Sequence, residues 1–142
     1  MKAKTVLYVE DEEHDAFFMQ VAFKKAQVAN PLQIVVDGLQ AIAYLQGTGP
    51  FANREQYPLP SLVLLDLNIP CLSGIEVLQW LRKDPELHDL PVVIFSSSSN
   101  LLDIAKTKEL GIQCYLVKPH DPHEIVIQLE ELIKDGLLLA LK

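Results

Sequence analysis

The chain has 142 residues, of which 49% are hydrophobic, and it carries a net charge of −7 at pH 7. This length suits one domain over residues 1–142, which can bury a core without a disulfide or a metal. The acidic balance, with no Lys/Arg-rich run, argues against a nucleic-acid-binding face. We expect no membrane span, no signal peptide, a cytoplasmic location, and free thiols at Cys71 and Cys114.

The first half of the chain alternates strand and helix patterns. The run TVLYV predicts a strand over residues 5–9, and an apolar stripe at helical spacing predicts a helix over residues 14–26. A second strand over residues 32–36 and a short helix over residues 39–45 follow. Residues 47–60 are rich in Pro and Gly, which predicts a loop insertion.

The second half continues the same alternation. The apolar run that ends at Asp66 predicts a strand buried on both faces, and Ser73 with Glu76 forms a capping-box pattern at the start of the third helix. The remaining predictions are a strand over 91–95, a helix over 101–110, a strand over 113–117, a helix over 122–134 and an apolar tail over 136–142. Five strands alternating with five helices predict an α/β fold whose parallel sheet is covered on both faces.

In a parallel sheet the carboxyl ends of the strands meet at one edge, where ligands bind. Polar residues follow four of the predicted strands there: Glu10 and Asp11, Asp66 and Asn68, Ser96, and Lys118. Unpartnered carboxylates would repel one another, and Mg²⁺, which prefers oxygen ligands, removes that repulsion. Asp66 could then accept a phosphoryl group, with the lysine and the serine hydroxyl contacting its oxygens.

Each of these residues also has an ordinary explanation when it is taken alone. Asp66 suits a turn, and Glu10 and Asp11 suit the first turn of a helix because acids there favour the helix dipole. Ser96 is one of four consecutive loop serines, and Lys118 is a plausible solvated lysine before a proline. Their joint occurrence after separate strands favours a functional site.

The motifs VLYVED, LVLLDLNIP followed by SGIEVL, PVVIFSS and GIQCYLVKP resemble the receiver domains of two-component response regulators. The resemblance covers about residues 4–134 and includes the order and the spacing of the motifs. The resemblance is to stand-alone, chemotaxis-receiver-like members, and the insertion resembles receivers paired with bacteriophytochrome histidine kinases. It implies a flavodoxin-like, doubly wound sheet with strand order 2-1-3-4-5.

The resemblance implies a role for each matching residue. Asp66 is the expected phosphoacceptor, and Mg²⁺ is expected to be bound by Asp66, by Asp11 directly, by Glu10 through water and by the backbone carbonyl of Asn68. The family pattern also implies a phosphoryl contact from Lys118, a cis Lys118–Pro119 bond, a switch hydroxyl at Ser96 and a switch aromatic at Tyr115. The residues Asn68 and Ser98 occupy positions that tune hydrolysis in the family.

The implied function is a single-domain response regulator that takes a phosphoryl group from a sensor histidine kinase and signals through protein contacts. It assists its own phosphorylation and dephosphorylation but is not a turnover enzyme. A phosphorelay intermediate that passes the group to a second histidine is the alternative. The tail is expected either to pack on the domain or to join a homodimer interface formed with the fourth helix, fifth strand and fifth helix.

Two rivals belong to other classes of protein. Asp66-Leu67-Asn68 loosely resembles the motif of haloacid-dehalogenase-like phosphatases, which predicts turnover of small phosphate esters. A flavodoxin-like FMN binder would need a phosphate-binding loop after the first strand, where this chain has four acids over residues 10–13. Those acids would repel a phosphate.

Overall fold

A computed structural model describes residues 4–141 as a five-stranded parallel sheet with helices on its two faces. The strands are β1 (Val6–Val9), β2 (Leu32–Val35), β3 (Leu62–Leu65), β4 (Val92–Ser96) and β5 (Cys114–Val117). Their order is β2-β1-β3-β4-β5. The predicted α/β class and the flavodoxin-like order 2-1-3-4-5 are therefore confirmed.

Five α-helices connect and follow the strands. They are α1 (Glu13–Lys25), α2 (Gly38–Gln46), α3 (Gly74–Lys83), α4 (Leu101–Glu109) and α5 (Ile125–Lys134). The predicted helix over residues 122–134 is wrong in its first turn, because Pro122–Glu124 is a 3₁₀ turn and the α-helix begins at Ile125. None of the helices in the described part of the chain is long and apolar enough to cross a bilayer.

The sheet separates two apolar cores, because successive strand residues face opposite sides. The side covered by α2 and α3 receives Leu7, Val9, Val63, Leu65 and Ile94. The side covered by α1 and α5 receives Val6, Tyr8, Leu64, Val93 and Phe95. With both faces buried, strands β1, β3 and β4 form a rigid, dry platform for the residues that follow them.

Backbone hydrogen bonds extend this platform one residue beyond the strands. Val9 of β1 is in register with Leu65 of β3, so the next residues of the two strands emerge side by side. The amide of Glu10 donates to the carbonyl of Val35 at 2.9 Å, and the amide of Asp66 donates to the carbonyl of Val9 at 3.3 Å. Both carboxylates are thereby fixed at the same edge of the sheet.

Gly74 holds the start of α3 against the end of β3. A Cβ atom at this position would overlap the backbone carbonyl of Asp66 and the Cα of Leu67. The amide of Gly74 also donates to the carbonyl of Leu67 at 3.0 Å. Only glycine allows this close approach, which sets the path of the chain just after Asp66.

The predicted insertion at residues 47–60 is a folded loop that contains the 3₁₀ turn Gly49–Phe51. The Arg54 guanidinium donates to the carbonyls of Tyr44 and Leu45 at 2.7 Å each, at the C-terminal end of α2. It therefore satisfies carbonyls that the end of a helix leaves without partners.

The C-terminal tail packs against the segment that joins α1 to β2. Leu138 is 2% exposed within the α1–α5 core, and Ala140 forms an antiparallel bridge with Val28. The carbonyl of Leu139 accepts a hydrogen bond from the amide of Ala29 at 2.7 Å. These contacts correspond to the first of the two alternatives expected for the tail, and the homodimer remains a prediction.

Candidate functional site

Lys118 is the centre of the polar cluster at the carboxyl edge of the sheet. Its amide donates to the carbonyl of Ser96 at 2.8 Å, which extends the pairing of β5 with β4. Its Nζ lies 2.6 Å from Glu10 Oε1 and 2.8 Å from Asp66 Oδ2. A third carboxylate, Asp15 Oδ2 in the first turn of α1, is also 2.8 Å from this nitrogen. One ammonium group is thus shared by three carboxylates.

The cluster combines burial with strong charge pairing. Burial raises the pKa of Glu10, whose side chain is 1% exposed, and its hydrogen bonds from Lys118 and Tyr8 offset only part of that increase. Burial lowers the pKa of Lys118, but its hydrogen bonds to the three carboxylates outweigh this and hold the pKa above its usual value. Lys118 is therefore a cation throughout the physiological range of pH.

Tyr8 supports this cluster from inside the protein. Its hydroxyl donates to Glu10 Oε1 at 2.8 Å, and the side chain has no exposed surface. Burial, together with the neighbouring Glu10 carboxylate, raises the pKa of this tyrosine far above its usual value. Tyr8 therefore remains a neutral hydrogen-bond donor to the carboxylate.

Glu10 and Asp66 each keep one oxygen that does not contact Lys118. Asp66 Oδ1 accepts from the amide of Asn68 at 3.1 Å, and Glu10 Oε2 accepts from the amide of Glu12 at 3.2 Å. Asp11, the residue after Glu10, is exposed. Over residues 4–141, no group of three acidic, His or Cys side chains is arranged to hold a metal ion, and the expected Mg²⁺ ligand set stays a prediction. The three carboxylates that do converge contact the Lys118 ammonium.

Ser96 and Tyr115 are connected through Ser98. The Ser96 side chain is fully buried, and its Oγ accepts from the amide of Ser98 at 3.3 Å. The Tyr115 hydroxyl donates to the carbonyl of Ser98 at 2.7 Å, and Ser98 Oγ donates to Asp103 Oδ2 at 2.9 Å. Burial raises the pKa of Tyr115, so its hydroxyl keeps the proton that it donates. This network links the end of β4 to α4.

The expected cis bond between Lys118 and Pro119 is wrong for this structure, since residues 4–141 contain no cis peptide bond. The trans form is intrinsically favoured before proline by about 0.5–1 kcal/mol. Lys118 reaches all three carboxylates with the trans bond, so the cluster does not require the cis form.

The expectation of free thiols is confirmed for both cysteines. Cys71 is exposed in the loop between β3 and α3, where its φ of 71° lies in the left-handed region. Cys114 is half-buried in β5, and this burial raises the pKa of its thiol. A buried thiol with a raised pKa is a poor nucleophile.

The sequence reasoning missed Asp15 and Tyr8. Its polar candidates were the residues that follow the strands, whereas Asp15 lies on a helix and Tyr8 lies within an apolar strand. A signal for Asp15 was present, because it shares helical spacing with the buried residues Met19 and Ala22. A carboxylate on the core-facing stripe of a helix needs a buried partner, which here is Lys118.

Comparison with known proteins agrees with this geometry. The sequence profile of the response regulator receiver domain matches residues 6–130. The response regulator Rcp1 of Synechocystis sp. is 40% identical over 115 residues, which cover 81% of this chain and 76% of Rcp1. The crystal structure of Mn²⁺-bound Rcp1 has a TM-score of 0.83 at 35% identity and covers 94% of each chain.

Two further solved structures are equally similar in fold. RPA3017, described as a response regulator in red light signaling of R. palustris, has a TM-score of 0.85 at 35% identity and covers 92% of this chain and 91% of its own. The phosphorylated cyanobacterial phytochrome response regulator RcpA has a TM-score of 0.85 at 33% identity, with coverages of 97% and 99%. The chain belongs to the response regulator receiver domain family.

Proposed function

We propose that this receiver domain accepts a phosphoryl group on Asp66 from a phosphohistidine of a sensor kinase, in a reaction that uses Mg²⁺. The observation that carries the proposal is the position of the Asp66 carboxylate. It is 4% exposed at the edge of the sheet, one oxygen contacts the Lys118 ammonium, and the other accepts a backbone amide. Such a carboxylate is held in place and partly neutralised before the donor arrives.

The transfer requires one nucleophile and a place for the displaced electrons. An Asp66 oxygen attacks the phosphorus, a P–O bond forms, and the P–N bond to the kinase imidazole breaks with its electron pair returning to the ring nitrogen. Lys118 stabilises the charge on the phosphoryl oxygens, and the Ser96 hydroxyl donates to one of them. Attack of water on the acyl phosphate later returns the Asp66 carboxylate and inorganic phosphate.

The residues present fit a magnesium ion by their chemistry. Asp11, Glu10 through water, Asp66 and the backbone carbonyl of Asn68 would hold it, and all of these donors are oxygens, as Mg²⁺ prefers. The two buried carboxylates each keep an oxygen contacted only by a backbone amide. Bound there, the ion supplies positive charge next to the phosphoryl group.

The proposed output runs from Ser96 through Ser98 and Tyr115 to α4. When the Ser96 hydroxyl moves toward the phosphoryl group, the hydrogen bond from the Ser98 amide to Ser96 Oγ is weakened. Ser98 is in turn hydrogen-bonded to both Tyr115 and Asp103. The surface of α4, β5 and α5 would then change its preferred conformation and its affinity for a protein target or a second copy. A phosphotransfer protein is the alternative recipient.

The proposed donor is a bacteriophytochrome-type histidine kinase in the cytoplasm. Support comes from the relatives, since RPA3017 is described in red light signaling and RcpA as a phytochrome response regulator.

The test is the intact mass of the protein after incubation with acetyl phosphate, with and without Mg²⁺. We expect one added phosphoryl group per wild-type chain only with Mg²⁺, and none on Asp66→Asn. Equal labelling of Asp66→Asn would overturn the assignment of the acceptor. Multiple turnover of a small phosphate ester would instead indicate that the protein is a phosphohydrolase.

A further inference from the structure

We propose that Asp15 is a positioning residue that competes with the phosphoryl group for the Lys118 ammonium and so weakens the binding of the phosphoryl group at the site. This inference rests on the proposed phosphoryl acceptance at Asp66 and concerns a residue outside the strand ends. The structure assigns Asp15 this role through one geometric fact, which is that it completes the set of partners of the Lys118 ammonium.

An ammonium group has three N–H donors. In this structure the three carboxylates of Glu10, Asp15 and Asp66 lie at 2.6–2.8 Å from Lys118 Nζ and use all of them. Phosphorylation converts the Asp66 carboxylate into an acyl phosphate whose oxygens can take its place at Lys118, and a second phosphoryl hydrogen bond from Lys118 then requires that Glu10 or Asp15 be released. The question is therefore which carboxylate yields its place.

Burial decides which of these two is released. The side chain of Glu10 is 1% exposed, whereas that of Asp15 is 35% exposed. A released buried carboxylate loses its partner without gaining water, which is costly. A released Asp15 is hydrated from its exposed side, so its separation from Lys118 costs the least. Asp15 is the partner that an incoming phosphoryl group displaces.

The charge of Asp15 has opposite consequences for the two ligands of the site. Before phosphorylation it adds negative potential that attracts a divalent cation. After phosphorylation it repels the phosphoryl oxygens and continues to attract Lys118 away from them. Removing its charge should therefore strengthen binding of a phosphoryl mimic and weaken binding of a cation. Substitution of a residue that only stabilises the fold would weaken the binding of both ligands.

The experiment compares wild type, Asp15→Asn, Asp15→Glu and Glu13→Gln by titration calorimetry. Glu13 is an exposed acid in the same helical turn, so Glu13→Gln removes the same formal charge away from Lys118. One titration uses Mg²⁺ alone, and the other uses fluoroberyllate, a phosphoryl mimic, at saturating Mg²⁺. Thermal unfolding establishes that each variant is folded, and Asp15→Ser must reproduce the result with a smaller side chain.

For Asp15→Asn we expect fluoroberyllate to bind about three- to tenfold more tightly and Mg²⁺ to bind a few-fold more weakly, as for the loss of about 1 kcal/mol of charge interaction. Asp15→Glu should return both affinities toward wild type, and Glu13→Gln should change each by less than about twofold. Weakening of both ligands, or no difference from Glu13→Gln, would overturn the role of Asp15. Failure of wild type to bind fluoroberyllate would instead overturn the proposed function itself.

Discussion

The carboxylate–lysine cluster and the segment from β4 to α4 lie side by side but are built differently. In the cluster, the buried carboxylates of Glu10 and Asp66 are hydrogen-bonded to the ammonium group of Lys118. In the β4–α4 segment, hydrogen bonds around Ser98 lead into α4, and Thr107 is the only buried residue among Leu101–Glu109, all of which the structure describes. Leu101 and Leu102 at its start are 81% and 71% exposed. The proposed chemistry therefore lies on the more deeply buried part, and the proposed response lies on the weakly packed part.

This contrast has a physical basis. Phosphoryl transfer depends on positioning, which a buried and fully paired cluster provides. A switch needs two conformations that differ by a few kcal/mol, and such segments are drawn from the less stable parts of a fold. Substitutions in the cluster should therefore change global stability, whereas substitutions near Ser98 should change local opening.

The largest effect is expected for Lys118→Met. It leaves Glu10 and Asp66 buried without their cation, which should lower the free energy of unfolding by about 3 kcal/mol at neutral pH. The loss should shrink as pH falls, because protonation of Glu10, whose pKa is already raised, removes the unpaired charge. Urea unfolding of wild type and Lys118→Met, at neutral pH and at a lower pH, measures this loss of stability. Lys108→Met, on the exposed face of α4, is the control and should change stability by less than about 0.5 kcal/mol.

A second large effect is expected for Gly74→Ala. The added methyl group overlaps the Asp66 carbonyl, so the start of α3 must move, at a cost of about 2 kcal/mol. Labelling by acetyl phosphate should also slow because Asp66 shifts. Gly49→Ala is the comparison, since a Cβ there meets no atom and the cost should be about 1 kcal/mol from its positive φ alone. Equal labelling rates for Gly74→Ala and wild type would show that this contact does not position the carboxylate.

Tyr8→Phe should cost about 1–2 kcal/mol at neutral pH, because the Glu10 carboxylate loses a buried hydrogen bond. Its pH dependence is more diagnostic. The folded state holds the Tyr8 and Lys118 protons above their ordinary pKa values of 10.0 and 10.5, whereas the unfolded chain releases them there. Wild-type stability should therefore fall as pH rises above about 10, by up to about 1.4 kcal/mol per pH unit for each group.

Tyr8→Phe removes one of these groups and should make that alkaline slope shallower by up to about 1.4 kcal/mol per pH unit, measured by urea unfolding between about pH 9 and pH 11. Tyr44, Tyr115 and Cys114, whose pKa values burial also raises, keep their contributions. An unchanged slope would show that Tyr8 does not keep its proton in the folded state.

The smallest effect is expected for Ser98→Ala. Loss of its bond to Asp103 should lower global stability by less than about 1 kcal/mol, because the pair is partly exposed. Hydrogen exchange of α4 amides should nevertheless accelerate, while exchange in β1 and β3 stays the same. Ser97→Ala, at the exposed neighbouring position, is the matched control. If β1 and β3 accelerate equally, the two regions do not differ in the way described.

The sequence pattern predicted a parallel sheet with Asp66, Glu10, Ser96 and Lys118 at one edge, because the carboxyl ends of parallel strands lie together. The strand order came from the resemblance to receiver domains. The sequence pattern did not predict Asp15, since the contact of a helix residue with Lys118 depends on how α1 packs on the sheet. The sequence also did not determine whether the Lys118–Pro119 peptide bond is cis or trans, because these two forms differ intrinsically by only about 1 kcal/mol. Strand order determines which backbones meet, and side-chain packing determines which charges pair.

The most direct test of the central claim is to locate the acyl phosphate chemically. Wild-type protein labelled with acetyl phosphate and Mg²⁺ is reduced with borohydride, which converts an aspartyl phosphate to homoserine, and is then sequenced by tandem mass spectrometry. The account predicts homoserine at position 66 and unmodified Glu10, Asp11 and Asp15. Homoserine at another aspartate, or phosphate retained on a histidine or serine, would contradict it.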